Sequence, residues 1–113
     1  MPFVSVSASV PMSDEKKDVL QREIGNLISI IPGKNIDNTM TKLEGGCDIF
    51  MAGSPRKAVF CEIRLLGEAP QENKAELYGK LKDLFFDQLG IETLYLNFNV
   101  FSEWGSADAY RVL

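Results

Sequence analysis

The chain runs through one plan twice. An alternating stretch at residues 3–10 leads into a helical stretch that stops at Pro32-Gly33, and a weaker extended stretch follows at 36–44. The order then repeats, with an alternating stretch at 58–66, a helical stretch at about 72–89 and a last alternating stretch at 93–101. In the first of these, Val4, Val6, Ala8 and Val10 share one side, with Phe3, Ser5, Ser7 and Ser9 on the other, which is strand periodicity. Pro11 ends it, and Ser13 followed by Asp14 and Glu15 is an N-cap with a favourable acidic first turn. Leu20, Ile24, Leu27, Ile28 and Ile31 then recur at helical spacing. In the second unit Val59, Cys61, Ile63 and Leu65 alternate with Phe60, Glu62, Arg64 and Leu66. Leu77, Leu81, Leu84, Phe85 and Gln88 form a helix face that Gly90 terminates. In the last stretch Leu94, Leu96, Phe98 and Val100 oppose Tyr95, Asn97, Asn99 and Phe101. A Gly45-Gly46 turn and a short edge strand at 48–51 separate the two units.

A long helix between two strands implies a parallel pair joined by a right-handed crossover. Two such units predict an α/β (α+β) fold: a four-stranded mixed sheet with both helices on one face. One layer of helices leaves the second sheet face bare, and both parity classes of the strands carry large apolar residues. That face therefore needs a cover, most simply another copy of the chain.

At 113 residues the chain is predicted to be a single domain, 1–113, with halves at about 1–51 and 56–101 and a tail at 102–113. A net charge of −4 with mixed signs predicts no nucleic-acid partner, because that surface needs clustered Lys and Arg. No apolar run approaches the roughly 20 residues of a membrane span, so no membrane partner is expected. The first residues lack a basic region followed by an apolar run, so a cytoplasmic location is expected, with leaderless export left open. There is no histidine, which removes Ser-His and Cys-His catalysis and the commonest metal ligand. Cys47 and Cys61 do not form a CxxC pair, so neither thiol redox chemistry nor a zinc site is expected. Any proton transfer falls to a carboxylate, Lys, Tyr, Cys or the amine of the chain itself.

Met1-Pro2, a Val/Ser strand ending at Val10-Pro11, a helix, Gly33-Lys34, a strand ending at Leu66-Gly67, a second helix and Leu94-Tyr95-Leu96-Asn97-Phe98 occur in that order. This order resembles the tautomerase superfamily, in the branch of macrophage migration inhibitory factor and its microbial relatives, over residues 1–101. The resemblance implies a homotrimer whose sheets form a central barrel, with the active site between subunits. It implies removal of Met1 and a free Pro2 amine as general base in keto–enol tautomerisation of a 2-oxo acid such as phenylpyruvate. Lys34 would reach the substrate carboxylate or carbonyl oxygen, and the Leu66 backbone N–H would bind the carboxylate. Tyr95, from the neighbouring subunit, and Asn97 would close the pocket, with Phe3 and Phe101 as further wall candidates. No metal or organic cofactor is implied, because the carbonyl itself acidifies the alpha proton.

Other readings stay open on the residues alone. Pro2 can be an ordinary residue ahead of a strand, Lys34 a solvated lysine at a helix end, and Arg64 a surface or interfacial ion-pair partner. The cysteine pair tied to oxidoreductase activity in the animal factor is half missing, with Ala58 at one position and Cys61 at the other. A protein-binding, cytokine-like trimer with a vestigial pocket is the alternative function. Dehalogenation or decarboxylation at the same proline is another.

Overall fold

The computed structural model describes residues 2–113; the expected cut between Met1 and Pro2 lies outside the described residues. The elements are β1 (Pro2–Ala8), α1 (Asp14–Leu27), β2 (Met40–Glu44), β3 (Phe50–Met51), β4 (Ser54–Pro55), β5 (Val59–Leu66), α2 (Gln71–Leu89), β6 (Leu94–Phe101), β7 (Glu103–Gly105) and β8 (Tyr110–Val112). Four strands form one sheet in the order β2-β1-β5-β6. β1 runs parallel to β2 and β5 parallel to β6, and the two βαβ units meet antiparallel along β1 and β5, with Val4 opposite Ile63.

The alternation in the sequence sets the layers. Val4, Val6 and Ala8 of β1 and Val59, Cys61, Ile63 and Leu65 of β5 are fully buried beneath the helices. α1 meets them with Leu20 and Ile24, and α2 with Leu77, Leu81 and Phe85. Leu84 only flanks this core, and Gln88 accepts a hydrogen bond from Lys16 Nζ at 3.3 Å. The opposite parity, including Phe3, Phe60, Tyr95 and Phe101, lies on a face no helix covers; Phe60 is 39% exposed and Tyr95 51%. Polar residues share that face, among them Arg64, which donates to Glu62 at 3.2 Å, and the pair Lys42–Glu44 at 2.8 Å. Among the described residues no helix is long and apolar enough to cross a membrane.

The element ends follow local chemistry. The Ser13 hydroxyl oxygen accepts from the Lys16 backbone N–H at 3.1 Å, satisfying one of the free donors at the start of α1. α1 closes at Leu27 and tightens into a 3-10 turn at Ile28–Ile30, because Pro32 offers no N–H and pushes Ile31 into an extended conformation. α2 ends at Gly90, which adopts φ 68° and donates its N–H to Phe86 O at 2.8 Å.

Four expected boundaries move. β1 leaves its ladder after Ala8, because Ser9 turns to bond Ala58 and the Val10 carbonyl accepts from Gly46. The stretch 36–44 is not one strand: Ile36–Asn38 is a 3-10 turn and the strand begins at Met40. Asn35 explains this, since its side-chain oxygen accepts from the Asp37 N–H at 2.9 Å while its carbonyl accepts from the Thr39 hydroxyl at 2.6 Å. The segment near 48–51 supplies only β3, which pairs with β4 across Ala52-Gly53, both at positive φ, and does not join the main sheet. The tail folds into a hairpin, β7 against β8, with Trp104 opposite Arg111.

Candidate active site

Pro2 opens β1 opposite Leu65 and is buried. Phe3 turns to the bare face, where it stands between Met40 and Arg64. The Arg64 guanidinium lies 5.7 Å from the centre of the Phe3 ring. Pro2, Phe3, Met40, Arg64, Phe101 and Trp104 line a cavity of about 410 Å³, with Asn38 and Glu103 at its edge. Phe101 and Trp104 meet edge to face, with ring centres 6.1 Å apart.

A second cavity, of about 430 Å³, adjoins the first: Asn38 and Trp104 line both. Its wall carries Lys34, Leu66, Asp108 and Arg111. Lys34 Nζ donates to the Leu66 carbonyl oxygen at 3.1 Å. The two cavities differ in kind. The one at Pro2 is mainly aromatic and apolar, whereas the one at Lys34 is about half polar and holds the cations Lys34 and Arg111 with Asp108 and the chain end at Leu113.

The C-terminal hairpin walls both spaces. The Tyr110 hydroxyl donates to the Glu103 carboxylate, which pushes the phenol above its ordinary range. The Leu113 N–H donates to Ser102 O at 2.8 Å and seats the end of the chain.

Of the expected site residues, Lys34 and Leu66 come together directly, and Pro2 lies next door. Phe3 and Phe101 stand in the Pro2 cavity. Tyr95 and Asn97 stand elsewhere in the single chain. Tyr95 pairs with Phe60, while the Pro2 row ends at Val100 through Leu65. Five residues of strand separate Tyr95 from that row, about 17 Å along the sheet. The Tyr95 hydroxyl donates to Met51 Sδ at 3.5 Å, and Asn97 lines a different cavity with Lys74 and Phe98. Arg64 combines an ion pair with a wall position beside Pro2.

Asn38, Trp104 and Arg111 are wall residues that periodicity did not single out. Asn38 sits in the 3-10 turn inside the expected strand. Trp104 and Arg111 sit in a tail too short for a strand pattern. The turn formers Ser106 and Asp108, between the apolar residues Trp104 and Tyr110, were the available hairpin signal.

Cys61 is fully buried, and burial, helped by the Glu62 charge, pushes its thiol from 9.0 up to about 12. It is an inert core residue. Cys47 is free and partly exposed, and the two are not bonded. Among the described residues no group of three or more His, Cys, Asp or Glu is placed to hold a metal ion.

This sheet order, with its two crossovers and one-sided helices, is the fold of macrophage migration inhibitory factor and its tautomerase relatives. The chain is similar to Leishmania major MIF2, with a TM-score of 0.88 at 22% identity over 97% of each chain. It is similar to the macrophage migration inhibitory factor-like protein of Entamoeba histolytica, with a TM-score of 0.83 at 21% identity over 96% of this chain and 97% of that one. Pt0534, solved as inactivated by 2-oxo-3-pentynoate, superposes with a TM-score of 0.80 at 19% identity over 93% of this chain and 92% of that one. No protein-family model matches the chain, and no curated protein sequence does.

Proposed function

We propose that the chain is a cofactor-independent keto–enol tautomerase of a 2-oxo acid of the phenylpyruvate type, with Pro2 as general base once Met1 is removed. One observation carries the reading: Pro2 is buried at the head of a strand, in an apolar cavity that shares Asn38 and Trp104 as walls with the cavity of Lys34. A simple terminal amine titrates at roughly 8 and is mostly protonated near neutrality. Burial in this apolar cavity favours the neutral amine. In enolisation the nitrogen lone pair takes one C3 proton, the C3–H electrons become the C2–C3 double bond, and the carbonyl pair moves onto oxygen. Lys34 balances the charge that develops there, and the proton returns to oxygen as the enol leaves. The inactivation of Pt0534 by a 2-oxo acid supports the substrate class.

The same proposal includes a homotrimer. Tyr95 and Asn97 are too far from Pro2 within one chain to touch one substrate, and the uncovered face carries Phe60, Tyr95 and Phe101. A neighbouring copy that covers this face and brings its Tyr95 to the Pro2 cavity satisfies both facts.

The test is the phenylpyruvate enol–keto assay on protein whose mass shows that it begins at Pro2, beside Pro2→Gly. Loss of a general base is expected to lower kcat by about a hundredfold or more. Equal activity in the two proteins rejects the role of Pro2. No activity in either leaves the protein-binding reading in its place.

A further inference from the structure

Arg111 stands on β8 directly opposite Trp104, so both side chains leave the same face of the hairpin. Both line the polar cavity that contains Lys34. Among the described residues no carboxylate lies within ion-pair distance of Arg111. Lys34 bonds a neutral carbonyl oxygen, which leaves its charge uncompensated and further ammonium hydrogens to donate. Lys34 and Arg111 share the cavity with Asp108 and with Leu113, the last residue of the chain, and among the described residues no ion pair joins either cation to a carboxylate.

The neighbouring cavity has no unpaired cation. Its cation, Arg64, is paired with Glu62, and Glu103 lines the same wall. An anion is therefore drawn to the Lys34 side, while Phe3, Met40 and Phe101 accept an apolar body beside Pro2.

We propose that Arg111 is the second carboxylate-binding residue of the site, closing with Lys34 on the carboxylate of a 2-oxo monocarboxylic acid whose apolar tail lies in the Pro2 cavity. The proposal rests on the tautomerase reading for the identity of the acid. A planar guanidinium offers two parallel N–H donors to one carboxylate, a geometry that a lone ammonium lacks. The hairpin is thus the element that selects substrates by charge: it admits one carboxylate and disfavours a second at the Pro2 end, where Glu103 stands.

Trp104 is the sole tryptophan and lines both cavities, so its fluorescence reports occupancy. The probe is benzoylformate, an aryl 2-oxo acid with no C3 proton to lose, with its methyl ester as the neutral control. Arg111→Gln should weaken benzoylformate binding by about ten- to a hundredfold and leave the ester unchanged. Arg111→Lys should recover part of the loss. In turnover of phenylpyruvate, Arg111→Gln should raise KM with little change in kcat.

Wild-type affinity for the acid in Arg111→Gln overturns the proposal. Equal loss of acid and ester does too, since that marks a structural role. Failure of the wild type to bind benzoylformate at millimolar concentration also overturns it. Arg111-dependent binding in a protein that does not turn over phenylpyruvate upholds the clamp and rejects the tautomerase reading alone.

Discussion

Lys34 Nζ donates to the Leu66 carbonyl oxygen at 3.1 Å, a bond across 32 positions of sequence. It ties the chain just after the first helix to the end of the central strand β5. The bond holds the ammonium over the cavity that adjoins Pro2, so the lysine is positioned before any substrate arrives. Replacing Lys34 by Met keeps the length of the stem and removes the charge. We expect kcat/KM for phenylpyruvate to fall about ten- to a hundredfold, with the melting temperature nearly unchanged. Steady-state kinetics and a thermal melt check both halves. A large loss of melting temperature would recast Lys34 as a structural tie.

The separation of Tyr95 from Pro2 makes a prediction about assembly. Pro2→Gly and Tyr95→Ala should each be weak enzymes alone. Refolded together in equal amounts, they should regain up to about a quarter of wild-type activity, because some sites then join an intact Pro2 to an intact Tyr95 of another copy. No regain on mixing would reject a site shared between copies. Sedimentation of the wild type as a monomer would reject the trimer.

Gly25 is buried in α1, where a Cβ would stand 2.6 Å from Ile36 Cγ1. This close approach seats the 3-10 turn that delivers Asn38 to both cavities. Gly25→Ala adds up to ~1 kcal/mol of helix propensity. Overpacking costs ~1–3 kcal/mol, so the clash wins. The variant should be less stable by about 1 kcal/mol in urea unfolding, and adding Ile36→Ala should cost less than it does in the wild-type background. Simple additivity of the two would show that the contact is not what limits this position.

Cys61 sets a pH dependence. Its folded value, about 12, lies above the 9.0 of an unperturbed thiol. Below 9.0 both states hold the proton and the contribution to stability is fully present. Between 9.0 and about 12 the unfolded chain binds fewer protons than the folded one, so stability falls as pH rises. Thermal melts from pH 8 to 11 should show a steeper decline for the wild type than for Cys61→Val. Parallel curves would show that the thiol is not held neutral. In native protein, thiol reagents should label Cys47 and leave Cys61 untouched.

Period and punctuation alone determined much of this protein. The alternation of Val4, Val6 and Ala8, and of Val59, Cys61, Ile63 and Leu65, fixed which strand faces are buried. The stripes from Leu20 to Ile28 and from Leu77 to Phe85 fixed the helix faces, and Pro32 and Gly90 fixed their ends. These are local properties, because a side chain two or four residues away on the same element must share its environment. The bare sheet face was legible for the same reason.

Tertiary structure decided what periodicity does not encode. Asn35, accepting from the Asp37 N–H and the Thr39 hydroxyl, converted the start of a strand into a turn and moved Asn38 into the site. The tail, with only three residues per strand, became a hairpin by pairing Trp104 with Arg111. It placed a cation beside Lys34, 77 positions earlier in the chain (111 − 34 = 77). Such neighbours are set by how whole elements pack and where the chain crosses, and no local pattern records which residues meet there. The sequence determined the mount for Pro2; the fold decided which walls and charges surround it.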